Sequence, residues 1–288
     1  PPTTASTQPD VPRVSGVSGP VEVRHIRTQN DEFQVLRSLL TNRQKRHQRG
    51  EFVVQGVKPI DAALRTGWPL HALIVNDDLR RSQWATGIID TATVARHIVV
   101  PGPLMALLAQ KEEPVELLAI AAIRRLTLAD VAVHAAMTLC VCDRLQSPGN
   151  LGSIVRSADA LGADAVVLLG RSADPYDPQA VRGSTGSVFS VPVVTVPSHE
   201  TVAAWLVPAR SEVGLRVLGT DEHGTPLTHG VVKPPVAILL GSEATGLSRA
   251  ARELCDDVVA LPMRGVASSL NVAAAASIFL YAATQSQQ

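Results

Sequence analysis

The chain has 288 residues, with 26 Lys+Arg balanced by 26 Asp+Glu and a formal net charge of +0. Such neutrality excludes a polybasic arm or an acidic tail as the organising feature, yet leaves room for a local basic patch. Hydrophobic residues make up 45% but aromatics only 3%, so the core is built from Ala, Val, Leu and Ile, and an RNA-binding sheet that stacks bases on rings is disfavoured.

The length predicts two domains, at about 150 residues each. Residues 1–20 are rich in Pro, Ser, Thr and Gly without apolar period and read as a disordered tail. Ordered structure is expected to begin near Val21. Residues 31–47 read as one helix with Phe33, Leu36, Leu39 and Leu40 on a single face. Short apolar runs at 51–55, 72–75, 97–100 and 117–122 read as strands with helices between them, predicting a small α/β domain over 21–123. A charged stretch follows, and 124–136 is expected to be a linker. The pattern then restarts with runs at 137–142, 165–169, 191–196, 215–218, 236–240 and 258–261. These are continuous rather than alternating, as in parallel strands covered on both faces, so 137–288 is expected to be an α/β domain with a parallel sheet.

The three cysteines, Cys140, Cys142 and Cys255, form no Cys-x-x-Cys pair and no disulfide framework, which fits a reduced, cytoplasmic protein. No His-Glu-x-x-His is present, so no built-in metal site is expected. The first residues lack the charged and apolar regions of a secretory signal, and the apolar stretch 272–283 is too short to span a bilayer.

In an open parallel sheet, ligands bind where loops leave the carboxyl ends of the strands, and four such loops here are rich in Gly, Ser, Asn and acidic residues. After 137–142 comes Asp143-Arg-Leu-Gln-Ser-Pro-Gly-Asn-Leu-Gly-Ser-Ile-Val-Arg156, in which Asn150 is a candidate N-cap for a helix carrying Ser153 and Arg156 one turn apart. A capped helix with one solvated arginine reads this segment equally well. After 236–240 comes Gly241-Ser-Glu-Ala-Thr-Gly-Leu247, a turn that exposes backbone N–H groups but lacks the Gly-Lys-Ser/Thr of a P-loop. A plain strand-to-helix turn would not need Glu243. After 258–260 comes Leu261-Pro-Met-Arg-Gly-Val-Ala-Ser-Ser-Leu-Asn-Val-Ala273, where Ser268, Ser269 and Asn271 crowd the start of an Ala-rich helix. One of them suffices as a cap. The small face 273–276 calls for a closely packed neighbouring backbone. The fourth loop, Gly219-Thr-Asp-Glu-His-Gly224, reads as a surface turn. No Gly-x-Gly-x-x-Gly follows an early strand, which disfavours a Rossmann dinucleotide site, and no Ser-His-Asp set sits on an elbow turn.

Three of these segments, in this order, resemble the motifs of the SpoU (TrmH-like) RNA ribose 2′-O-methyltransferases of the SPOUT superfamily. They are Asn150-Leu-Gly-Ser-Ile-Val-Arg156, Leu240-Gly-Ser-Glu-Ala-Thr-Gly-Leu247 and Leu261-Pro-Met-Arg-Gly-Val-Ala-Ser-Ser-Leu-Asn-Val272. Arg182-Gly-Ser-Thr-Gly-Ser-Val-Phe189 resembles the family's intervening segment. The resemblance covers 137–288 and implies a trefoil-knotted methyltransferase domain, a homodimer and S-adenosyl-L-methionine as cofactor. Carried over by motif position, Thr220, Leu240, Gly241, Gly246, Leu261, Met263 and Leu270 would contact the cofactor. Asn150, Arg156, Glu243, Ser269 and Asn271 would form the catalytic centre, with Arg156 stabilising charge on the ribose oxygen or holding the adjacent phosphate. Ala244 and Thr245 fill variable positions, and Arg264 adds a charge inside the third motif.

The amino-terminal half resembles the family's ribosomal-protein-like substrate-binding domain through Arg43-Gln-Lys-Arg-His-Gln-Arg-Gly-Glu-Phe-Val-Val-Gln-Gly56. The stretch 37–49 holds five Arg/Lys and no acid, so Arg43, Lys45, Arg46 and Arg49 are expected to contact RNA phosphates; a solvated helix face is the alternative. Members with this domain often act on ribosomal RNA, 23S rRNA above all here. Some confer antibiotic resistance, avilamycin resistance included, and the length and layout resemble those members. A tRNA 2′-O-methyltransferase and a non-catalytic RNA-binding protein on the same fold are the alternatives.

Overall fold

A computed structural model describes residues 21–267 and 269–286. The expected tail at 1–20 and Ser268 lie outside the described residues.

The first half runs β1 (Glu22–His25), α1 (Asp31–Thr41), α2 (Arg43–Arg49), β2 (Glu51–Gln55), α3 (Val57–Arg65), β3 (Leu70–Asn76), α4 (Gln83–Thr91), β4 (Arg96–Val100), α5 (Gly102–Ala109) and β5 (Leu117–Ala122). Its sheet has the order β1-β4-β3-β5-β2. β1, β4 and β3 are parallel, while β5 is antiparallel to both β3 and β2. The predicted single helix at 31–47 is two helices. Asn42 breaks it by adopting extended backbone, where its amide N–H closes α1 on the Ser38 carbonyl and its side chain caps α2 through Lys45 N at 3.0 Å. An asparagine competing with the ladder in this way turns the basic segment away from the apolar face of α1.

The second half runs β6 (Thr138–Asp143), α6 (Pro148–Ala160), β7 (Ala165–Leu169), α7 (Pro178–Ser184), β8 (Val193–Val196), α8 (His199–Val213), β9 (Arg216–Pro226), β10 (Val236–Leu240), α9 (Arg249–Glu253), β11 (Asp257–Ala260) and α10 (Val272–Gln285). Its strands all pair in parallel, in the order β11-β9-β10-β6-β7-β8. β6, β7 and β10 are buried at every residue, the reason their sequences are unbroken apolar runs. Helix α10 returns from the sheet edge to pack on α6, β6 and β10, which carries the loop before it across the carboxyl ends of the central strands.

Two stretches depart from expectation. β9 does not stop at Leu218: it stays extended to Pro226 and pairs with β11 past a register shift at Val258/Val259. The expected surface turn at 219–224 is therefore strand, and Gly224 is needed there because a Cβ would meet the Val259 carbonyl carbon at 2.7 Å. The segment expected as a linker is packed: Leu128 and Val131 are buried in the core under the second sheet, and Thr127 and Asp130 close a capping box around a short 3₁₀ turn.

One apolar cluster crosses from one half to the other, joining Phe52, Val54 and Leu73 to Cys140, Leu151 and Phe189. Phe52 meets Tyr176 at 4.7 Å between ring centroids, and Trp68 meets Phe189 edge-on at 5.2 Å.

Candidate active site

The site is built at the carboxyl ends of β6, β10 and β11 and along the middle of β9. Ser147, not Asn150, caps α6, accepting from Asn150 N at 3.2 Å, with Pro148 opening the helix. The expected cap assignment is thereby corrected, with a chemical consequence. The Asn150 side chain, released from capping, donates from Nδ2 to Glu243 Oε1 at 3.0 Å. Its Oδ1 accepts from Asn271 Nδ2 at 3.0 Å, and Asn271 Oδ1 caps α10 by accepting Ala273 N at 2.9 Å.

Glu243 stands at the tip of a turn closed by two Ser242–Gly246 backbone hydrogen bonds of 3.0 Å. The turn requires its glycines. A Cβ on Gly241 would lie 2.2 Å from the Gly246 carbonyl carbon, and Gly246 has φ +62°. Arg144 holds the turn from below by donating to the Gly246 carbonyl at 3.2 Å. The Glu243 carboxylate also accepts Gln146 N at 3.2 Å and Ser147 N at 3.3 Å, so an anion sits on the amides that lead into α6. Burial pushes its carboxyl up, but the Asn150 amide and these backbone N–H groups outweigh that and hold it below the ordinary value.

Behind the turn, Asp143 is fully buried at the end of β6 and accepts from Ser248 N at 2.8 Å, His199 Nε2 at 3.1 Å and Arg144 Nε at 3.2 Å. Burial again opposes the charge, and the Ser248 and His199 bonds with the Arg144 charge win, keeping the carboxyl low. Ser248 Oγ lies 3.2 Å from the same His199 ring nitrogen that meets Asp143, so Ser248, His199 and Asp143 form a buttress and not a proton relay.

In front of the turn lies a cleft of about 760 Å³, within the range of small-molecule sites. All seven residues expected at the cofactor line it: Thr220, Leu240, Gly241, Gly246, Leu261, Met263 and Leu270. So do three of the expected catalytic residues, Glu243, Ser269 and Asn271. Asn150 reaches the cleft through Glu243 and Asn271. Arg156 does not line it; it is exposed on α6, less than two turns and about 9 Å of rise beyond Asn150, with no hydrogen bond or ion pair among the described residues.

The lining includes residues that sequence reasoning missed. Asp221, Glu222 and His223 belong to the stretch of β9 that was expected to be a surface turn, and Val259, Val272, Ala275 and Phe279 complete the apolar wall. The signal for the acidic pair was present in the fourth loop; its alignment along the cleft follows from the β9–β11 pairing. Asp221 is ion-paired with Arg252 and accepts His223 N at 3.0 Å, and these partners overcome burial to hold its carboxyl below the ordinary value. The lining includes Asp221, Glu222 and Glu243 and, among the described residues, no Lys or Arg. A lining of this charge favours a ligand carrying positive charge next to an apolar ring over one carrying phosphates.

The basic residues of α2 divide. Lys45 and Arg49 are exposed, Arg49 pairing with Glu51 at 3.2 Å. Arg43 is exposed and donates to the Ser172 carbonyl at 2.8 Å. Arg46 is withdrawn from the phosphate-contact set: it is 2% exposed, ion-paired with Asp174 at 2.7 Å and Asp177 at 3.3 Å. A guanidinium buried among carboxylates has no face left for RNA.

The model of the SpoU rRNA Methylase family matches residues 137–281, and that of the SpoU L30e-like domain matches residues 30–119. The chain is 43% identical over 265 residues, 91% of its own length and 92% of the relative's, to a 23S rRNA (uridine(2479)-2′-O)-methyltransferase of Streptomyces viridochromogenes. It is 29% identical, over 84% of its length and 92% of the relative's, to the 23S rRNA (guanosine(2553)-2′-O)-methyltransferase RlmP of Bacillus subtilis. The crystal structure of the SpoU methyltransferase AviRb from Streptomyces viridochromogenes in complex with AdoMet superposes with a TM-score of 0.82, at 41% identity over 90% of this chain and 99% of that one. The chain belongs to the SpoU rRNA methylase family.

Proposed function

We infer that this protein transfers a methyl group from S-adenosyl-L-methionine to a ribose 2′-hydroxyl of 23S rRNA. The observation that carries the reading is the cleft beside the Asn271–Asn150–Glu243 chain, lined by acidic and apolar residues and, among the described residues, by no Lys or Arg. Its relatives named as 23S rRNA 2′-O-methyltransferases supply the substrate.

When bound, S-adenosyl-L-methionine supplies a methyl group already activated by a positively charged sulfur. Leu240, Gly241, Gly246, Leu261, Met263, Leu270 and Thr220 would hold it, with Phe279 and Val259 against its apolar part. The chain's own task is to align a ribose oxygen and stabilise it as its proton leaves. Asn271, whose amide is fixed by the α10 cap on one side and Asn150 on the other, is a rigid element at the cleft mouth, with Ser269 beside it. Arg156, exposed on the same helix as Asn150 and without an ion pair among the described residues, is placed to hold the adjacent phosphate and the developing alkoxide. It does not serve as a base, because a guanidinium stays protonated. Glu243 acts on Asn150 and the Gln146 and Ser147 amides, not on Arg156, which makes it a positioning residue.

The reading extends to a two-domain enzyme: an RNA-binding unit at 21–123 that grips phosphates with Arg43, Lys45 and Arg49, and a knotted catalytic unit at 137–288. It works in the cytoplasm as a homodimer, and Ile278 and Tyr281, exposed on one stripe of α10, are the apolar residues offered to a second copy. Among the described residues, no helix is long and apolar enough to cross a membrane. Methylation of 23S rRNA by this chain would protect ribosomes from an antibiotic bound at that nucleotide.

The test is incubation with methyl-labelled S-adenosyl-L-methionine and, separately, unmodified 23S rRNA, 16S rRNA and bulk tRNA, followed by alkaline digestion. Label in an alkali-resistant dinucleotide from 23S rRNA is the expected result. Label confined to tRNA would keep the chemistry and overturn the substrate, and no label in any pool would favour a non-catalytic RNA-binding protein.

A further inference from the structure

The Arg46 guanidinium lies at the junction of the two halves. Its Nε donates to Asp174 Oδ2 at 2.8 Å, its Nη2 to Asp177 Oδ2 at 3.3 Å, and its Nη1 to the Leu39 carbonyl at 3.1 Å. Around this buried cluster, His47 Nε2 lies 3.2 Å from Asp174 Oδ1, Arg125 donates to the His47 carbonyl at 2.9 Å, and Tyr176 Oη donates to the Arg124 carbonyl at 2.7 Å. Gly186 presses onto α3 so closely that a Cβ would fall 2.6 Å from that of Ala62. A tether would be enough if the first half only captured RNA. Burying a charge is costly and is sustained here by two carboxylates and the carbonyls of α1 that keep the guanidinium hydrogen-bonded.

The loop that receives Arg46 also reaches the catalytic centre. Arg43 donates to the Ser172 carbonyl, and the neighbouring Arg171 carbonyl accepts Gln146 Nε2 at 2.7 Å. Gln146 N in turn donates to Glu243. The basic helix α2 and the centre are therefore both fixed to one short segment, 171–177.

We propose that the Arg46–Asp174–Asp177 cluster is a molecular ruler: it holds the phosphate-gripping face of α2 at one span from the cleft, so that the methylated nucleotide is selected by its distance along the bound RNA. Arg46 and Asp177 are then positioning residues that determine specificity. The proposal rests on the functional reading given above, in which α2 binds RNA and the cleft performs the transfer.

Two variants of the full-length protein test it. Arg46→Lys keeps the charge and loses the planar fork. Asp177→Asn loses the ion pair yet keeps the cap of α7, where its side chain accepts Gln179 N at 3.0 Å, so it folds even if the first variant does not. S-adenosyl-L-methionine affinity is read by calorimetry, kcat/KM on unmodified 23S rRNA by methyl label, and the modified nucleotides by mapping. Cofactor affinity is expected to stay within about twofold, as neither residue lines the cleft, while kcat/KM falls on the order of 100-fold for a misplacement of about 1 Å. Label is expected to spread to nucleotides neighbouring the wild-type target. A folded Asp177→Asn variant with wild-type kcat/KM and one unchanged target would overturn the ruler while leaving the functional reading intact. A wild-type protein that labels no RNA would remove the functional reading and the ruler with it.

Discussion

Glu243 Oε1 accepts a hydrogen from Asn150 Nδ2 at 3.0 Å, and that single contact fixes the direction of every bond beyond it. An ionised carboxylate only accepts, so the Asn150 amide must turn its nitrogen to Glu243 and its oxygen to Asn271. Asn271 must then donate, which leaves its own oxygen to cap α10. A second rung, Ser157 Oγ to Ser277 Oγ at 2.8 Å, ties the same two helices about two turns further on. The polar chain thus reaches from a glycine-rich turn on one strand to the helix that closes the cleft.

Because these bonds act as a unit, truncations along the chain should not add. Asn150→Ala and Asn271→Ala are each expected to reduce kcat/KM strongly, with the double variant little worse than either; the coupling should amount to roughly 0.5–3 kcal/mol in a double-mutant cycle. Asn271→Ala should in addition cost about 1 kcal/mol of stability through the lost cap. Chemical denaturation and steady-state kinetics on the three variants check both. Additive kinetic losses would mean that the two amides act independently.

Arg156 stands outside the cleft lining while sharing a helix with Asn150. Arg156→Ala should therefore leave cofactor affinity within about twofold and lower turnover by roughly 10²–10³, the scale for removing one donor to a developing oxyanion. Calorimetry with S-adenosyl-L-methionine beside single-turnover methylation separates the two. Parallel loss of both would make Arg156 structural.

The carboxyl of Glu243 is held below its ordinary value by its hydrogen bonds, against the opposing effect of burial. A depressed folded-state pKa contributes stabilisation that is full above the unfolded value of about 4.3 and is lost as pH falls through the folded value. The difference in folding stability between wild type and Glu243→Gln should be constant from about pH 8 to pH 5 and shrink as pH falls below the unfolded value of about 4.3. Unfolding free energies measured across that range check it; a difference that vanishes near neutrality would contradict the ionised Glu243.

His97 on β4 is shifted in the same direction, its charged form disfavoured by burial and by Arg81, and its Nε2 is buried without a hydrogen-bond partner among the described residues. Stability should fall as pH drops from about 6.5 through its depressed folded value, since the unfolded chain takes up the proton more readily. Thermal unfolding of wild type and His97→Leu should show this limb in the first and not in the second.

Gly152 on α6 has no room for a methyl group: a Cβ would lie 2.4 Å from the Ala180 carbonyl oxygen and 2.9 Å from Gly183 Cα. Gly152→Ala is expected to destabilise by about 1–3 kcal/mol as α6 and α7 are forced apart. A denaturation midpoint equal to that of wild type would show that the two helices separate freely.

Much of this was legible in the residues, for reasons that can be named. β6, β7 and β10 carry unbroken apolar runs because they are buried on both faces, and the motifs at 240–247 and 261–272 supply the cleft lining because backbone turns and small side chains build it. What escaped depends on contacts distant in sequence. Asn150 has the composition of a cap, and only Ser147 three residues earlier, with Glu243 across the cleft, frees it for another role. The extension of β9 needs β11 as its partner, so Asp221 and Glu222 could not be placed from their own segment. Arg46 looks like its cationic neighbours until Asp174 and Asp177, far along the chain, come to meet it.

The proposed acceptor is a ribose 2′-hydroxyl held at this cleft. Once the modified nucleotide of 23S rRNA has been mapped, a fragment containing it can be made with a 2′-deoxynucleotide at that one position and compared with the all-ribose fragment under single-turnover conditions. Stoichiometric methyl transfer to the ribose fragment and none to the deoxy fragment is the predicted result. Equal transfer to both would place the methyl group elsewhere than on that 2′-hydroxyl and overturn ribose as the acceptor.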